Sequence, residues 1–376
     1  MTYHIGFIIE QTLGHVAHSQ NLQRNVKTEK DIQAYWGLPS WDTHGLAGRI
    51  PLYKSNWTLR AGWRARREIA RMRWAVPLDA LFFHTQVTAV LSPDWLARVP
   101  SVVSLDATPE QYDALGEYYD HSAGPAWLER FKWGLNRLCF QRAQHLVAWS
   151  EWAKQGLIQD YQVPTERITV IPPGVNLPQW AHPGTRDPHG ETVKILFVGG
   201  NFERKGGMHL LEAFRSLYQE APFRVDGVDQ NIELHIVSRD PILDQPGVRT
   251  YRDIQPNSPV LKQLYADSDI FCLPTYGDCL PMVLSEAGAS GLPLISTQVA
   301  AIPEIVLEGE NGFLVSAGDT LSLTQALRAL ILDPGLRRSM GARGTEVVAQ
   351  KFDARQNATR LLDLLKEVAD RGKASP

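Results

Sequence analysis

No stretch of the chain approaches the roughly 18 uninterrupted apolar residues that a bilayer-spanning helix requires, so a membrane span is not expected. The opening MTYHIGFIIEQT carries no basic leader and its apolar run stops at Glu10, which argues against a signal peptide. Cysteine is scarce: Cys139, Cys272 and Cys279 form neither a close metal-binding pair nor a disulfide framework. That usage fits a reducing compartment, and the expected location is the cytoplasm, with peripheral contact at a membrane left open. An excess of one charge is missing too. With 38 Lys and Arg against 41 Asp and Glu, the net charge of -3 gives no global pull toward nucleic acid. The GxGxxG dinucleotide fingerprint is absent, which disfavours a dinucleotide-dependent oxidoreductase. Beyond a doubling of its strand–helix pattern the chain has no internal repeat, and it has no low-complexity segment.

What is present suits a two-domain α/β protein. A length of 376 residues exceeds one ordinary core, and 44% hydrophobic with 21% charged residues is ordinary for a globular chain. Residues 3–9, 80–83, 101–105 and 145–149 read as buried parallel strands in the first half. Residues 193–198, 232–237, 270–274 and 292–296 read the same way in the second. Their hydrophobicity is continuous rather than alternating, with helical patterns between them, as in a doubly wound sheet. Two such sets predict two Rossmann-like domains. Pro172, Pro173, Gly174, Pro178, Pro183, Gly184, Pro188 and Gly190 punctuate a stretch without periodicity between them. Residues 355–370, with Leu361, Leu362, Leu364 and Leu365 at helical spacing, predict a C-terminal amphipathic helix.

Two segments carry chemistry. In PTYGDCLPMVLSEAGASGLPLIST, residues 274–297, a strand ends at Pro274, a loop follows, and a helix begins near Pro281. Proline suits a first helical turn because its missing N–H would have had no partner there. The free amides around Leu280, Pro281 and Met282, backed by the helix dipole, are a site for a phosphate. Asp278 in the loop and Glu286 in the helix are acceptors suited to sugar and ribose hydroxyls. On spacing alone they read equally as a solvated loop acid and a surface glutamate, although apolar or small residues surround Glu286. In ILFVGGNFERKGG, residues 195–207, a strand runs into a glycine turn at Gly199 and Gly200, with Arg204 and Lys205 expected at the helix start. Glycines let the backbone approach an anion, and two cations neutralise a diphosphate; a solvated basic face is the plainer alternative.

At these residues the chain resembles family 4 of the retaining glycosyltransferases. Asp278, Glu286 and AGASGLPLI stand where that family has an acid, a glutamate after seven residues, and an AxASGxPxI-like run. VGGNFERKG resembles its VGR…KG, AIPEIVLEGENGFLV its GxPEIV…GxNGxLV, and IPPGV its interdomain IPNGV. The resemblance implies a GT-B fold: two Rossmann-like domains facing across a cleft, with the C-terminal helix crossing back to the first. The domains would be 1–172 with about 355–376 for the acceptor, and 190–354 for the nucleotide sugar, joined by a linker at about 173–189. It also implies a retaining transfer of a hexose-type sugar by front-side displacement, with domain closure over the donor. A UDP- or GDP-sugar would be co-substrate, with no cofactor and no metal.

Carried over residue by residue, Glu286 would bind the ribose, Asp278 the donor-sugar hydroxyls, and Lys205 the diphosphate. The family's diphosphate arginine falls at Gly200, so Arg204 would supply that charge, and Asp278 replaces the usual longer glutamate. The first half resembles the family more weakly. Gly14 and His15 in QTLGHVAHS resemble its glycine-rich donor loop, His84 stands where a histidine nears the donor sugar, and Asp106 resembles its His-Asp position. All follow strands, where open α/β sheets bind ligands, and each reads alternatively as a polar residue satisfying nearby backbone.

Asp267 and Asp269 spell an Asp-x-Asp, but at the amino end of a strand, and read as turn and cap chemistry. Residues 58–77 hold six arginines against Glu68, with Trp63 and Trp74 interleaved and Trp57 just before them. This predicts a solvated surface helix, a membrane-surface helix or the lining of an anionic acceptor cleft. Other classes stay open: an inverting transferase or epimerase, which would need a base such as His15, His84 or Asp106, or a silent nucleotide-sugar-binding subunit. Sugar, base and acceptor (polysaccharide, lipid or metabolite) are not named by the residues.

Overall fold

The computed structural model describes residues 2–11, 15–40, 56–116, 124–181 and 190–374. Gly14, Pro183, Gly184 and Pro188 lie outside them. The chain divides into two compact units, Met1–Pro173 with Ala354–Pro376, and Gly174–Asp353.

Unit 1 is built on six parallel strands: β1 (Tyr3–Ile9), β2 (Ile32–Gly37), β3 (Ala80–His84), β4 (Ser101–Leu105), β5 (His145–Ala148) and β6 (Ile168–Val170). Their order is β2-β1-β3-β4-β5-β6. The strands are apolar throughout because both faces are covered. Ile5, Phe7 and Ile9 of β1 join Ala80 and Phe82 of β3 in one core, while Ile8 joins Leu81 and Phe83 in the other. The C-terminal helix Ala354–Ala374 puts Ala358, Leu361, Leu362, Leu365 and Val368 into the first of these cores. Each such large side chain contributes about 1.5–3 kcal/mol on burial, so this helix is part of unit 1's core.

Unit 2 carries β7 (Thr192–Val198), β8 (Phe223–Val225), β9 (Val228–Val237), β10 (Val248–Tyr251), β11 (Ile270–Leu273), β12 (Leu294–Thr297) and β13 (Gly312–Val315). The parallel order is β10-β9-β7-β11-β12-β13, with β8 antiparallel to β9. Leu177–Trp180, assigned to the linker on its proline, forms a short helix instead, and its buried Trp180 meets Tyr265 edge-on at 5.2 Å. Bulky apolar surface there outweighs the proline signal.

In both sheets the chain winds outward in opposite directions from one point, between β1 and β3 in unit 1 and between β7 and β11 in unit 2. Loops leaving the carboxyl ends of adjacent strands part at such a switch point and leave a crevice for ligands.

Candidate donor and histidine sites

In unit 2, Arg204 and Lys205 do not start a helix as expected. They lie in a turn, and the helix is Gly207–Glu220, with Gly206 before it at φ 73°. A Cβ on Gly206 would stand 1.9 Å from the Pro274 carbonyl oxygen, so glycine alone fits. That close approach seats the turn on the loop after β11, and the Tyr276 amide donates to the Arg204 carbonyl at 3.0 Å.

The side chains follow the backbone. Lys205 Nζ donates to both oxygens of Asp278, at 2.9 and 2.8 Å. Thr275 Oγ1 donates to Asp278 Oδ2 at 2.9 Å. Arg204 donates to the Gly277 carbonyl and lies 3.7 Å from Asp278 Oδ1. All three charged side chains are largely shielded, between 13% and 14% exposed, so their fields are weakly screened. Two cations against one carboxylate leave a local charge of about +1, which favours an anion. The separate roles assigned to Asp278 and Lys205 are thus coupled, since the two are ion-paired.

Gly199 lets Lys205 fold back: a Cβ there would meet the lysine Cδ at 2.4 Å. Gly200 is exposed, with no atom within 4 Å of where its Cβ would be. The helix Met282–Ala289 follows the Asp278 loop. Pro281 is its N-cap rather than its first residue and supplies no side-chain cap, and Leu280 is buried. In its first turn the Leu284 amide donates to the Pro281 carbonyl at 3.1 Å, while those of Met282 and Val283 have no partner within the helix.

Glu286 stands apart from the cations. It is buried and accepts from Tyr265 Oη at 3.1 Å. Burial drives its carboxyl up to about 7, against the lowering effects of the Tyr265 bond and Lys262. Asp267 caps the helix Pro259–Ala266, and Asp269 accepts from the Lys194 amide at 2.8 Å, so the Asp-x-Asp serves the chain's turns. Among the described residues no group of three His, Cys, Asp or Glu is placed to hold a metal.

In unit 1, His84 ends β3, Asp106 follows β4, and His15, expected in a loop, opens the helix His15–Val26. The three come together. His15 and His84 rings meet edge-on at 4.7 Å, and His84 stacks on Trp149 at 4.9 Å with 9° between planes. His18 closes the group, 4.9 Å from His84 and 5.2 Å from Trp149. His15 Nδ1 donates to Glu10 Oε1 at 2.9 Å, and its Nε2 lies 3.9 Å from Asp106 Oδ2.

These neighbours split the three imidazoles. Burial alone would lower His15, but the carboxylates of Asp106 and Glu10 outweigh it and hold the ring up at about 10. Burial, reinforced by the His15 cation, pushes His18 down to about 3 and His84 well below the ordinary range. One cation between two carboxylates leaves a local charge of about -1. Both ring nitrogens of buried His84 and Oδ1 of buried Asp106 lack a hydrogen-bond partner among the described residues, and buried polar atoms ordinarily have one.

Glu10, His18, Thr85 and Trp149 were not singled out by the sequence. A lone acid after an apolar run was their one signal, at Glu10; its partners Trp57 and Thr85 lie 47 and 75 residues away. The basic segment is the helix Trp57–Ala75, and its charge is partly spent internally: Arg60 is buried, Arg66 pairs with Asp94 and Arg71 with Glu68. Trp63 and Trp74 remain exposed, at 58% and 92%. Among the described residues no helix is long and apolar enough to cross a membrane.

Known proteins resemble this chain in sequence and in fold. The sequence model for Glycosyltransferase Family 4 matches residues 24–179, and that for Glycosyl transferases group 1 matches residues 192–333. A D-inositol 3-phosphate glycosyltransferase of Xylanimonas cellulosilytica is 27% identical over 333 residues, covering 84% of this chain and 71% of the relative. Sucrose-phosphate synthase from Thermosynechococcus elongatus superposes with a TM-score of 0.75 at 15% identity, over 97% of this chain and 99% of the other. Anabaena HepE, in complex with UDP and glucose, gives 0.68 at 14%, over 97% and 100%. The fold is GT-B, and the chain belongs to the family 4 glycosyltransferases.

Proposed function

We propose that the protein transfers a hexose-type sugar from a nucleoside diphosphate sugar, of the UDP or GDP class, to an acceptor hydroxyl with retention at the anomeric carbon. The observation that carries this reading is the pairing of Arg204 and Lys205 with the Asp278 loop at the switch point of unit 2. Two shielded cations, an open glycine turn and the first-turn amides of Met282–Ala289 are the groups a diphosphate leaving group needs. Asp278 offers oxygens to sugar hydroxyls, and Glu286 lies four residues into the helix, where it accepts from a ribose. UDP with glucose in the structurally similar HepE supports this donor class.

In the proposed step the anomeric C–O bond to the diphosphate breaks, with its electron pair leaving on the phosphate oxygen. The acceptor hydroxyl attacks from the same face and passes its proton to that oxygen. Arg204 and Lys205 stabilise the charge that accumulates on the leaving group, so the reaction proceeds without a divalent metal.

A thermal-shift screen against UDP-, GDP-, ADP- and dTDP-sugars, with magnesium and with EDTA, tests the donor. Stabilisation by one class, equal in both media, is expected. No shift at concentrations far above ordinary affinities would remove the donor site. Binding without turnover would make the chain a silent sugar-nucleotide subunit, and an inverted product anomer would point to an inverting mechanism with a base in unit 1.

A further inference from the structure

Glu10 has no role in the transfer outlined above, yet it is the most heavily engaged side chain of the unit 1 cluster. It is 3% exposed, at the carboxyl end of β1, where its own amide donates to the His84 carbonyl at 3.1 Å. Its carboxylate accepts from three directions: His15 Nδ1 at 2.9 Å, Thr85 Oγ1 at 3.0 Å and Trp57 Nε1 at 2.9 Å. A carboxylate has about four lone-pair sites, so its position is nearly over-determined. A glutamate this buried without a charged partner would be costly, and His15 is the one charged group it meets in these bonds.

The consequence lies on the far side of the ring. With Nδ1 clamped, Nε2 is turned toward Asp106 Oδ2, which Tyr112 Oη also holds, donating at 2.6 Å. Asp106 is fixed through one oxygen while the other has no partner among the described residues. We propose that Glu10 is a positioning residue: it holds His15 doubly protonated and oriented against Asp106, so that Asp106 Oδ1 is kept for a hydroxyl from outside the protein. Among the described residues, the titratable groups facing His15 are Glu10, Asp106, His18 and His84. The two neighbouring histidines do not take the proton in its place: burial disfavours their charged forms, and the carboxylates of Glu10 and Asp106 face His15. The link from Asp106 to a substrate hydroxyl rests on the glycosyl-transfer reading; the Glu10–His15–Asp106 relay does not.

The test is long-range 1H–15N spectroscopy of the full chain with labelled histidine, the His15 signal being assigned by its loss in His15→Asn. In the wild type both His15 nitrogens are expected to be protonated at pH 8, and a neutral single tautomer there would overturn the proposal. Glu10→Gln keeps the shape and one acceptor but removes the charge. It is expected to lower the His15 titration midpoint by at least about one pH unit, and Glu10→Asp to restore part of it. Thr85→Val, which removes one donor and leaves the charge, should move the midpoint by only a few tenths. An unmoved midpoint in a folded Glu10→Gln chain would reduce Glu10 to a packing role and sink the idea. If it fails to fold, the wild-type spectrum and Thr85→Val still decide. Transfer rates, where a donor has been found, should fall roughly tenfold in Glu10→Gln through kcat, with nucleotide affinity unchanged. Absence of transfer in the wild type would defeat the glycosyl-transfer reading alone, leaving the spectra to judge the relay.

Discussion

The two switch points share a topology and differ in sign. In unit 2 the residues after β7 and β11 assemble Arg204, Lys205 and Asp278, about +1 overall. In unit 1 those after β1, β3 and β4 assemble Glu10, Asp106 and His15, about -1, with two neutral imidazoles and an indole. The crevice itself is a property of the winding; what it will hold is a property of a handful of side chains. A positive crevice suits a diphosphate. A negative one repels phosphate and suits hydroxyl groups, which donate.

The sharpest way to break this contrast is to remove charge from the positive side. Lys205→Ala is expected to lower turnover by about 10²–10³-fold, the scale of losing one leaving-group stabiliser, whereas His84→Ala should lower turnover while sparing UDP affinity. If calorimetry found UDP affinity equally weakened by both, the division of labour would be wrong. Next in size is the backbone contact that seats the cations. Gly206→Ala forces a left-handed alanine against the Pro274 carbonyl and should cost about 2–4 kcal/mol in chemical denaturation; a neutral result would show that the turn can move.

Glu286→Ala should weaken UDP binding by about 1–3 kcal/mol, and unchanged affinity would take the ribose away from it. Smaller still are the pH effects, and the two units should respond in different windows. Glu286 is held up at about 7 in the folded chain, so folding favours its protonated form. Its contribution to stability therefore declines as pH rises from about 4.5, the ordinary range of Glu, through 7, while UDP affinity should rise as it ionises. His15 is held up at about 10, so its contribution is fully present below about 6.5, the ordinary histidine value, and is lost as pH rises through 10. Denaturation curves from pH 4 to 10 for wild type, Glu286→Gln and His15→Asn would separate the windows. Smallest is Trp74→Ala on the exposed helix face, expected within about 0.5 kcal/mol of wild type.

Burial explains which parts of the fold were legible. The eight strands readable as apolar runs are β1, β3, β4, β5, β7, β9, β11 and β12, all interior to their sheets. The five that were not are β2, β6, β10 and β13, the edges of the two parallel arrays, and β8, three residues long and antiparallel to β9. An edge strand such as β10, VRTY, is half solvated, so its hydrophobic signal is diluted by residues facing water. The sites divide on similar grounds. Arg204, Lys205, Asp278 and Glu286 stand in two short segments with their spacing intact. Glu10 carries no local pattern, because what makes it significant is Trp57 and Thr85, brought to it only by the folded sheet. Loop and helix boundaries were misplaced by a few residues around Arg204 and Pro281, where close backbone contact rather than propensity decides.

The C-terminal helix has a consequence for the order of events during synthesis. Gly174–Asp353 is one uninterrupted stretch and can close as soon as it has left the ribosome. The first 173 residues emerge earlier but lack Leu361, Leu362, Leu365 and Val368, which fill one face of their sheet. Until that helix has been made, that face exposes Phe7, Phe82 and Val102 to water or to a chaperone. The unit begun first is thus completed after the other, and a chain lacking Ala354–Ala374 would carry a sound second unit joined to an unfinished first.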